Sequence, residues 1–298
     1  MKAAIVLSCA CILFLFLPNS KVMAQEPADT SSVFQVETVD GNTFIGKILS
    51  KDTNILKLKT NNFGELNIPI TNVKKVIKLN PTQLKNGELW FENPHSTRYF
   101  YLPNGYGLKK GEGYYQNAWV LFNQFSYGFS DYFSLGIGMI PTFLFGSSSM
   151  PIWITPKVSI PLKKDVWNIG AGAFLGTVFG DPSTSVAGLV YGVSTFGSRD
   201  KNFTLGGGYG FAGDQWGNKP IVSLAGTIRT GKKHYLMTEN YFFFGDNATV
   251  ALLFLGGRIV NPHLAVDYGL IIPAGADVNQ FIGIPWLSIT VPFGNTKK

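Results

Sequence analysis

The sequence predicts an all-β protein whose larger part is an antiparallel transmembrane barrel. Three observations predict it. Phe133, Leu135, Ile137, Met139, Phe143 and Phe145 alternate with Ser134, Gly136, Gly138 and Thr142, the apolar-out, polar-in period of a barrel strand of about ten residues. Segments of this kind recur, with turn residues between them, from about Ser96 to Phe293. Charge is scarce: 14% of the 298 residues are charged and 45% hydrophobic, whereas a soluble domain carries about 25% charge. No stretch after the N-terminal segment approaches the roughly 18 uninterrupted apolar residues of a spanning helix. A chain of this kind that crosses a membrane must therefore close on itself, because hydrocarbon leaves an open strand edge unsatisfied.

The N-terminus reads as an export signal over residues 1–24. Lys2 supplies a short positive region, Ala3 to Leu17 an apolar core, and Pro18 breaks it. Val22-Met23-Ala24 then presents small or tolerated residues for cleavage after Ala24. A lipobox reading of Val6-Leu7-Ser8-Cys9 places its cysteine too early, with most of the apolar run still to come. Cys9 and Cys11 are the two cysteines of the chain, so the mature protein is expected to have neither disulfides nor thiolate chemistry. The net charge of +7 becomes +5 without Lys2 and Lys21, and in an exported protein this does not point to nucleic acid.

Residues 25–32 read as a flexible leader and 33–80 as a small β domain. Phe34 to Ile48 alternates about Asp40-Gly41, a strong hairpin signal. Ile55 to Thr60, a turn at Asn61 to Gly64, Glu65 to Ile70 and Val73 to Ile77 complete the unit. The Asp40-Gly41 turn, Gly46 four residues after Asn42, Asp52 and the closing Val73-Lys-Lys-Val-Ile resemble the Sm-like and SH3-like small barrels. Sm-like proteins often bind RNA, a role that export removes. Exported SH3-like domains more often bind peptides or wall polymers. The plain alternative is a plug or spacer without a ligand.

Residues 81–96 form a connector punctuated by Pro81, Asn86-Gly87 and Asn93-Pro94. The barrel is placed at 97–293. Its strand candidates are about 97–103, 114–127, 132–145, 151–162, 166–180, 186–196, 202–213, 219–230, 234–245, 249–260, 264–273 and 280–293. Twelve satisfies the even count of single-chain barrels. Alternation then puts the turn Tyr127 to Phe133, Lys163-Lys164, Arg199 to Lys201 and Lys232-Lys233 at one end, expected to be periplasmic. Gly146 to Ser149, Asp181 to Ser185, Asp214 to Asn218 and Gly275 to Gln280 fall at the other. In the last strand Leu287, Ile289, Val291 and Phe293 form an apolar face ending on an aromatic. This resembles the C-terminal signal that outer-membrane barrels present to their assembly machinery. The tail 294–298 departs from it, since many members stop at the aromatic.

Catalytic signals are poor. His95 lies in the connector, His234 and His263 near strand ends, and no Gly-x-Ser-x-Gly or His-Glu-x-x-His occurs. No enzyme activity, cofactor or metal site is expected. Gly208-Tyr-Gly210-Phe-Ala-Gly213 matches a dinucleotide loop in letters only, because a strand rather than a helix is predicted after it. The candidate site is a set of charges that alternation turns inward: Arg229, Glu239, Arg258 and Asp267, on four successive strands with alternating sign. Strands lie about 4.8 Å apart, so these side chains are expected to form a ladder. Its two readings are a structural brace and a charge-selective constriction. Lumen-facing glycines (Gly136, Gly138, Gly170, Gly172, Gly188, Gly192, Gly206, Gly208 and Gly210) leave space for a pore or for large neighbours such as Trp153 and Trp286. Tyr114, Tyr115, Tyr127, Tyr132, Phe133, Trp167, Phe179, Tyr235 and Phe293 suit interfacial girdles.

The expectation is an outer-membrane barrel with a periplasmic N-terminal domain, acting as a narrow channel for small solutes. The alternative is a non-conducting anchor that presents the small domain to a cell-wall polymer or a periplasmic protein. Expected partners are outer-membrane lipid and, through the last strand, the barrel assembly machinery. A lumen closed by side chains along its whole length overturns the channel reading.

Overall fold

The structure, a computed structural model, describes residues 32–79, 84–85, 88–90, 93–181, 183–245, 248–261, 263–275 and 282–294. The expected signal peptide with its two cysteines, the leader up to residue 31, residues 276–280 and the tail 295–298 lie outside the described residues. The chain divides into two compact units, Met1–Glu88 and Leu89–Lys298.

The first unit is a five-stranded antiparallel sheet: β1 (Val33–Thr38), β2 (Thr43–Lys51), β3 (Ile55–Thr60), β4 (Gly64–Pro69) and β5 (Val73–Leu79), in the order β4-β3-β2-β1-β5. Alternation builds it. In β3, Leu56, Leu58 and Thr60 are buried while Ile55, Lys57 and Lys59 are exposed. Val36, Leu56, Leu58 and Ile68 form the core, with Phe44, Ile48, Leu66, Ile70 and Val73 packed on it. Gly41 has φ +87° in the predicted hairpin turn, a conformation in which a β-carbon is strained. Two short strands, β6 (Leu84–Lys85) and β7 (Glu88–Leu89), pair near the point where this unit ends.

The second unit is a closed antiparallel barrel of twelve wall strands. These are β8 (Glu112–Ala118), β9 (Phe122–Gly128), β10 (Phe133–Met139), β11 (Met150–Lys163), β12 (Trp167–Phe179), β13 (Ala187–Ser198), β14 (Lys201–Ala212), β16 (Ile221–Arg229), β17 (His234–Phe244), β18 (Thr249–Asn261), β19 (Leu264–Ala274) and β20 (Ile284–Gly294). The two-residue β15 (Gln215–Trp216) is a spur on β14. Closure comes from β20 against β8, where Phe293 stands opposite Gly113. A β-carbon on Gly113 would fall inside the Phe293 ring, so the final aromatic is seated on a glycine.

Twelve strands were expected, but they are composed differently. The 114–127 segment breaks at Trp119–Leu121 into β8 and β9. That turn contains no Gly, Pro, Asn or Asp, the residues that mark turns in a sequence, so alternation alone runs through it. The 97–103 segment is no wall strand; its β-bridge, Arg98 to Pro103, is to itself. One strand is lost and one gained, so the two ends keep their predicted membership. Lys163-Lys164, Arg199 to Lys201 and Lys232-Lys233 share the end at which β8 starts and β20 finishes, called the turn end here. The opposite, loop end carries 140–149, 180–181, 183–186, 213–220, 245 and 248.

Alternation along the strands divides the wall. Phe125, Ile137, Ile154, Leu205, Leu236, Leu255 and Leu287 are exposed on the outside. Trp153 and Trp286 are buried on the inside, as the alternation predicted. Four of the expectations are corrected. Gly188 and Gly192 pair with Leu175 and Ala171, on the face opposite Val193, which is buried; a side chain at either position would face away from the lumen. Tyr114 and Tyr235 are buried inside the barrel rather than set in a girdle.

Candidate functional site: the occupied lumen

The lumen holds the chain that precedes β8. Residues 93–108 run inside the wall, and His95, Ser96, Thr97, Arg98, Tyr99, Phe100, Leu102, Asn104, Tyr106 and Leu108 are buried there. The segment is tied all round. Tyr99 donates its hydroxyl to Asn202 Oδ1 at 2.6 Å on β14, and Gly105 N donates to Thr195 Oγ1 at 2.7 Å on β13. Lys157 Nζ on β11 donates to Tyr106 O at 2.6 Å and to Thr97 O at 3.2 Å. Gln116 Nε2 on β8 donates to Phe100 O at 3.1 Å. The fit is close as well as polar: a β-carbon on Gly105 would collide with the Asn168 carbonyl of β12.

Of the predicted charges, Arg258 and Asp267 meet each other, and these two and Glu239 also meet the inner segment, whereas Arg229 does not. Arg258 and Asp267 are register partners on β18 and β19, and Arg258 Nη2 donates to Asp267 Oδ2 at 3.0 Å. Arg258 also donates to His95 O at 2.6 Å and to Tyr99 O at 2.7 Å. Arg98 completes the cluster, donating to Asp267 Oδ2 at 3.0 Å and to Tyr99 O and Phe100 O. Glu239 is fully buried, accepts from Tyr101 N at 2.9 Å and from the Tyr241 hydroxyl at 2.6 Å. Arg229 sits at the turn end, where it donates to Asp200 Oδ2 at 3.2 Å and stacks near Tyr235 and Trp90.

Arg258 and Asp267 are thus brought together, while Glu239 and Arg229 each take other partners. Register is the reason: Glu239 faces Ala225 on one side and Phe254 on the other, and Arg229 faces Tyr235. Matching sign on successive strands did not include the offset of one strand against the next. Sequence reasoning missed Arg98 and Lys157. The available signal was the run Tyr99-Phe100-Tyr101-Leu102, four large residues without a polar alternate, which a half-lipid, half-lumen strand does not carry. The histidines stay apart: His95 is buried in the lumen, and His234 opens β17 at the turn end. Gly208 and Gly210 lie in β14, followed by β15 and β16 rather than a helix.

Glycines make room for large neighbours. A β-carbon on Gly138 would lie inside the Trp153 indole, and one on Gly172 would come within 2.6 Å of the Tyr191 hydroxyl oxygen. Space remains in two places. A vestibule of about 780 Å³ at the loop end is lined by Trp119, Phe122, Trp153, Phe174, Phe254 and Trp286, among others. A second cavity of about 300 Å³ lies beside the inner segment, with Gln124, Ser126, Ser134, Thr155 and Lys157 in its wall. The two share Tyr101, Phe174, Leu189 and Tyr241, which form a waist between them.

No family model matches the chain, and no curated protein matches it. Among solved structures it is similar to the outer-membrane expressed OmpT of Vibrio cholerae, at 11% identity and a TM-score of 0.31, over 88% of this chain and 95% of that one.

Proposed function

We propose that this protein is an outer-membrane barrel that admits small solutes from its loop end and keeps passage shut with its own residues 93–108. The membrane placement is supported by the outward strand positions. Between the two ends these carry no Asp, Glu, Lys or Arg among the described residues, and a charge facing lipid at mid-depth costs roughly 2–4 kcal/mol for Arg. In this placement the turn end is periplasmic, the last strand is read by the assembly machinery, and the 33–80 domain, in its small-barrel resemblance, lies in the periplasm.

The observation that carries the gated reading is the shared waist. Among the described residues, Tyr101, Phe174, Leu189 and Tyr241 line both the vestibule and the cavity beside the inner segment. Tyr101 belongs to the inner segment, which blocks the way below the waist and is held by hydrogen bonds, by packing and by the Arg98–Asp267–Arg258 cluster. The lumen charges act in this reading as the latch of the segment and not as an open selectivity ring. No catalytic step is part of it.

A second reading keeps the barrel as a non-conducting anchor for the small domain, which would bind a wall polymer or a periplasmic protein. The close fit at Gly105 favours it. Conductance of the refolded full chain in a planar bilayer separates the two. Rare, brief steps that lengthen in Tyr101→Ala support the gate. Silence in both proteins supports the anchor.

A further inference from the structure

The wall is not equally tall all round. β8 and β9 have 7 residues each, whereas β20, which pairs with β8 from the turn end up, has 11. Seven residues rise about 23 Å along a strand, or about 18 Å along the barrel axis at a tilt of about 40°, short of the apolar band of about 25 Å. The β8–β9 turn stops low against its neighbour: Trp119 N donates to Leu287 O at 3.0 Å, so Ile284 to Trp286 stand above it on β20. The wall therefore has a notch at the loop end.

The notch is apolar. Trp119, Val120 and Leu121 on its floor are exposed, Val120 to 80%, as are Phe143, Leu144 and Phe145 in the 3-10 turn that follows β10. Trp119 and Val120 also hold left-handed backbone, φ 51° and 65°, where a β-branched residue is an outlier. A turn that keeps bulky apolar residues in strained positions is using those side chains. Behind the notch, Trp119 and Phe122 pass directly into the vestibule wall. The vestibule volume of about 780 Å³ falls in the range of about 300–1,000 Å³ for small-molecule sites. Among the described residues no charged side chain lines it, and Thr184 and Ser185 supply hydroxyls.

We infer that the vestibule is a binding site for one acyl chain of a membrane amphiphile, which enters sideways from the bilayer over Trp119–Leu121. The chain lies among the indole and phenyl rings, and the head group stays at Thr184 and Ser185. A lipid chain is favoured over a water-borne solute because the entrance is apolar and lies at the depth of the hydrocarbon. The inference rests on the membrane placement proposed above and not on solute passage.

The test uses the full chain in vesicles of phosphatidylcholine carrying a diazirine midway along one acyl chain. After irradiation the labelled peptides are mapped by mass spectrometry. The expected result is label on outer residues such as Ile137 and Leu255 and also on the inner Trp153, Phe174 and Phe254. Gly176→Leu with Ala187→Phe, which fills the vestibule, should lower inner labelling about tenfold and leave outer labelling unchanged. At Gly176 a β-carbon meets nothing nearer than Phe174 Cε1 at 3.4 Å. Outer label alone overturns the acyl site while sustaining the membrane placement. Absence of outer label overturns both, and inner labelling equal in the filled variant overturns the site.

Discussion

Arg98 and Asp267 stand 3.0 Å apart inside the barrel, both almost wholly shielded from solvent, and this pair ties the chain before the first wall strand to β19. Asp267 is shared, since Arg258 donates to the same carboxylate from β18. One anion thus holds two guanidinium groups, which also donate to backbone carbonyls of residues 95–100 and, from Arg98 Nη2, to the Thr290 hydroxyl of β20. The arrangement makes the inner segment part of the wall.

Asp267→Asn is therefore expected to be the most damaging charge substitution in the lumen. It leaves two buried cations without a counter-charge, and breaking a buried pair costs about 3–5 kcal/mol. The midpoint of urea unfolding in vesicles should fall accordingly. Adding Arg98→Gln to the same chain removes one orphaned cation and should recover part of the loss. No recovery would mean that Arg98 contributes through its backbone contacts alone.

The inner segment is also held by shape, and two glycines separate that effect from general barrel stability. A β-carbon on Gly105 meets the Asn168 carbonyl, whereas one on Gly210 meets nothing nearer than Gly188 O at 3.6 Å. Gly105→Ala should cost about 1–3 kcal/mol, the usual penalty of overpacking, and Gly210→Ala little. Limited proteolysis should then find residues 93–108 newly accessible in Gly105→Ala only.

In the small domain, Asp52 accepts from Ile55 N at 2.7 Å and Asn54 N at 2.8 Å, and these bonds hold its carboxyl below the usual carboxylate range. Glu37 is lowered in the same direction by its hydrogen bond and ion pair with Lys74, 2.7 Å away. A depressed folded value means that the stabilisation is complete above the unfolded pKa and is lost as pH falls through the folded one. The domain should thus weaken below about pH 4, the ordinary carboxylate range. Following its amide resonances through an acid titration checks this, and Asp52→Asn should flatten the acid limb of the β2–β3 turn.

Much of the fold was legible because alternation is a local property. Each wall strand from β11 onward follows from its own residues, and the glycine-for-tryptophan exchange at Gly138 and Trp153 follows from the same count. What the sequence hid was non-local or unsignalled. The Trp119–Leu121 turn has no turn residue to announce it. The inner segment has strand-like residues but spends them on a lumen rather than on a wall. The partners of Arg258 and Glu239 depend on register between strands and on a segment about 140 to 160 positions away in sequence, as in the Arg258 bond to His95 O with a separation of 163. For the same reason the expected ladder is reduced to its Arg258–Asp267 rung.

The strained turn offers a last test. Trp119 is held by its surroundings: its indole N–H donates to Pro285 O at 2.7 Å, and its ring lies 5.1 Å from that of Trp286 and 5.9 Å from that of Phe122. Val120 is 80% exposed and has no comparable packing to offset its φ of 65°. Left-handed backbone costs an L-residue about 1–2 kcal/mol, and glycine escapes that cost. Val120→Gly and Val120→Ala remove nearly the same apolar surface, so their difference isolates the backbone. Val120→Gly should unfold at a higher denaturant concentration than Val120→Ala, by about 1 kcal/mol in stability, whereas Trp119→Gly should be less stable than either because it also loses the indole contacts. Equal stabilities for the two Val120 variants would mean that the turn relaxes without strain, and the bulky residues at the notch would then carry no backbone penalty.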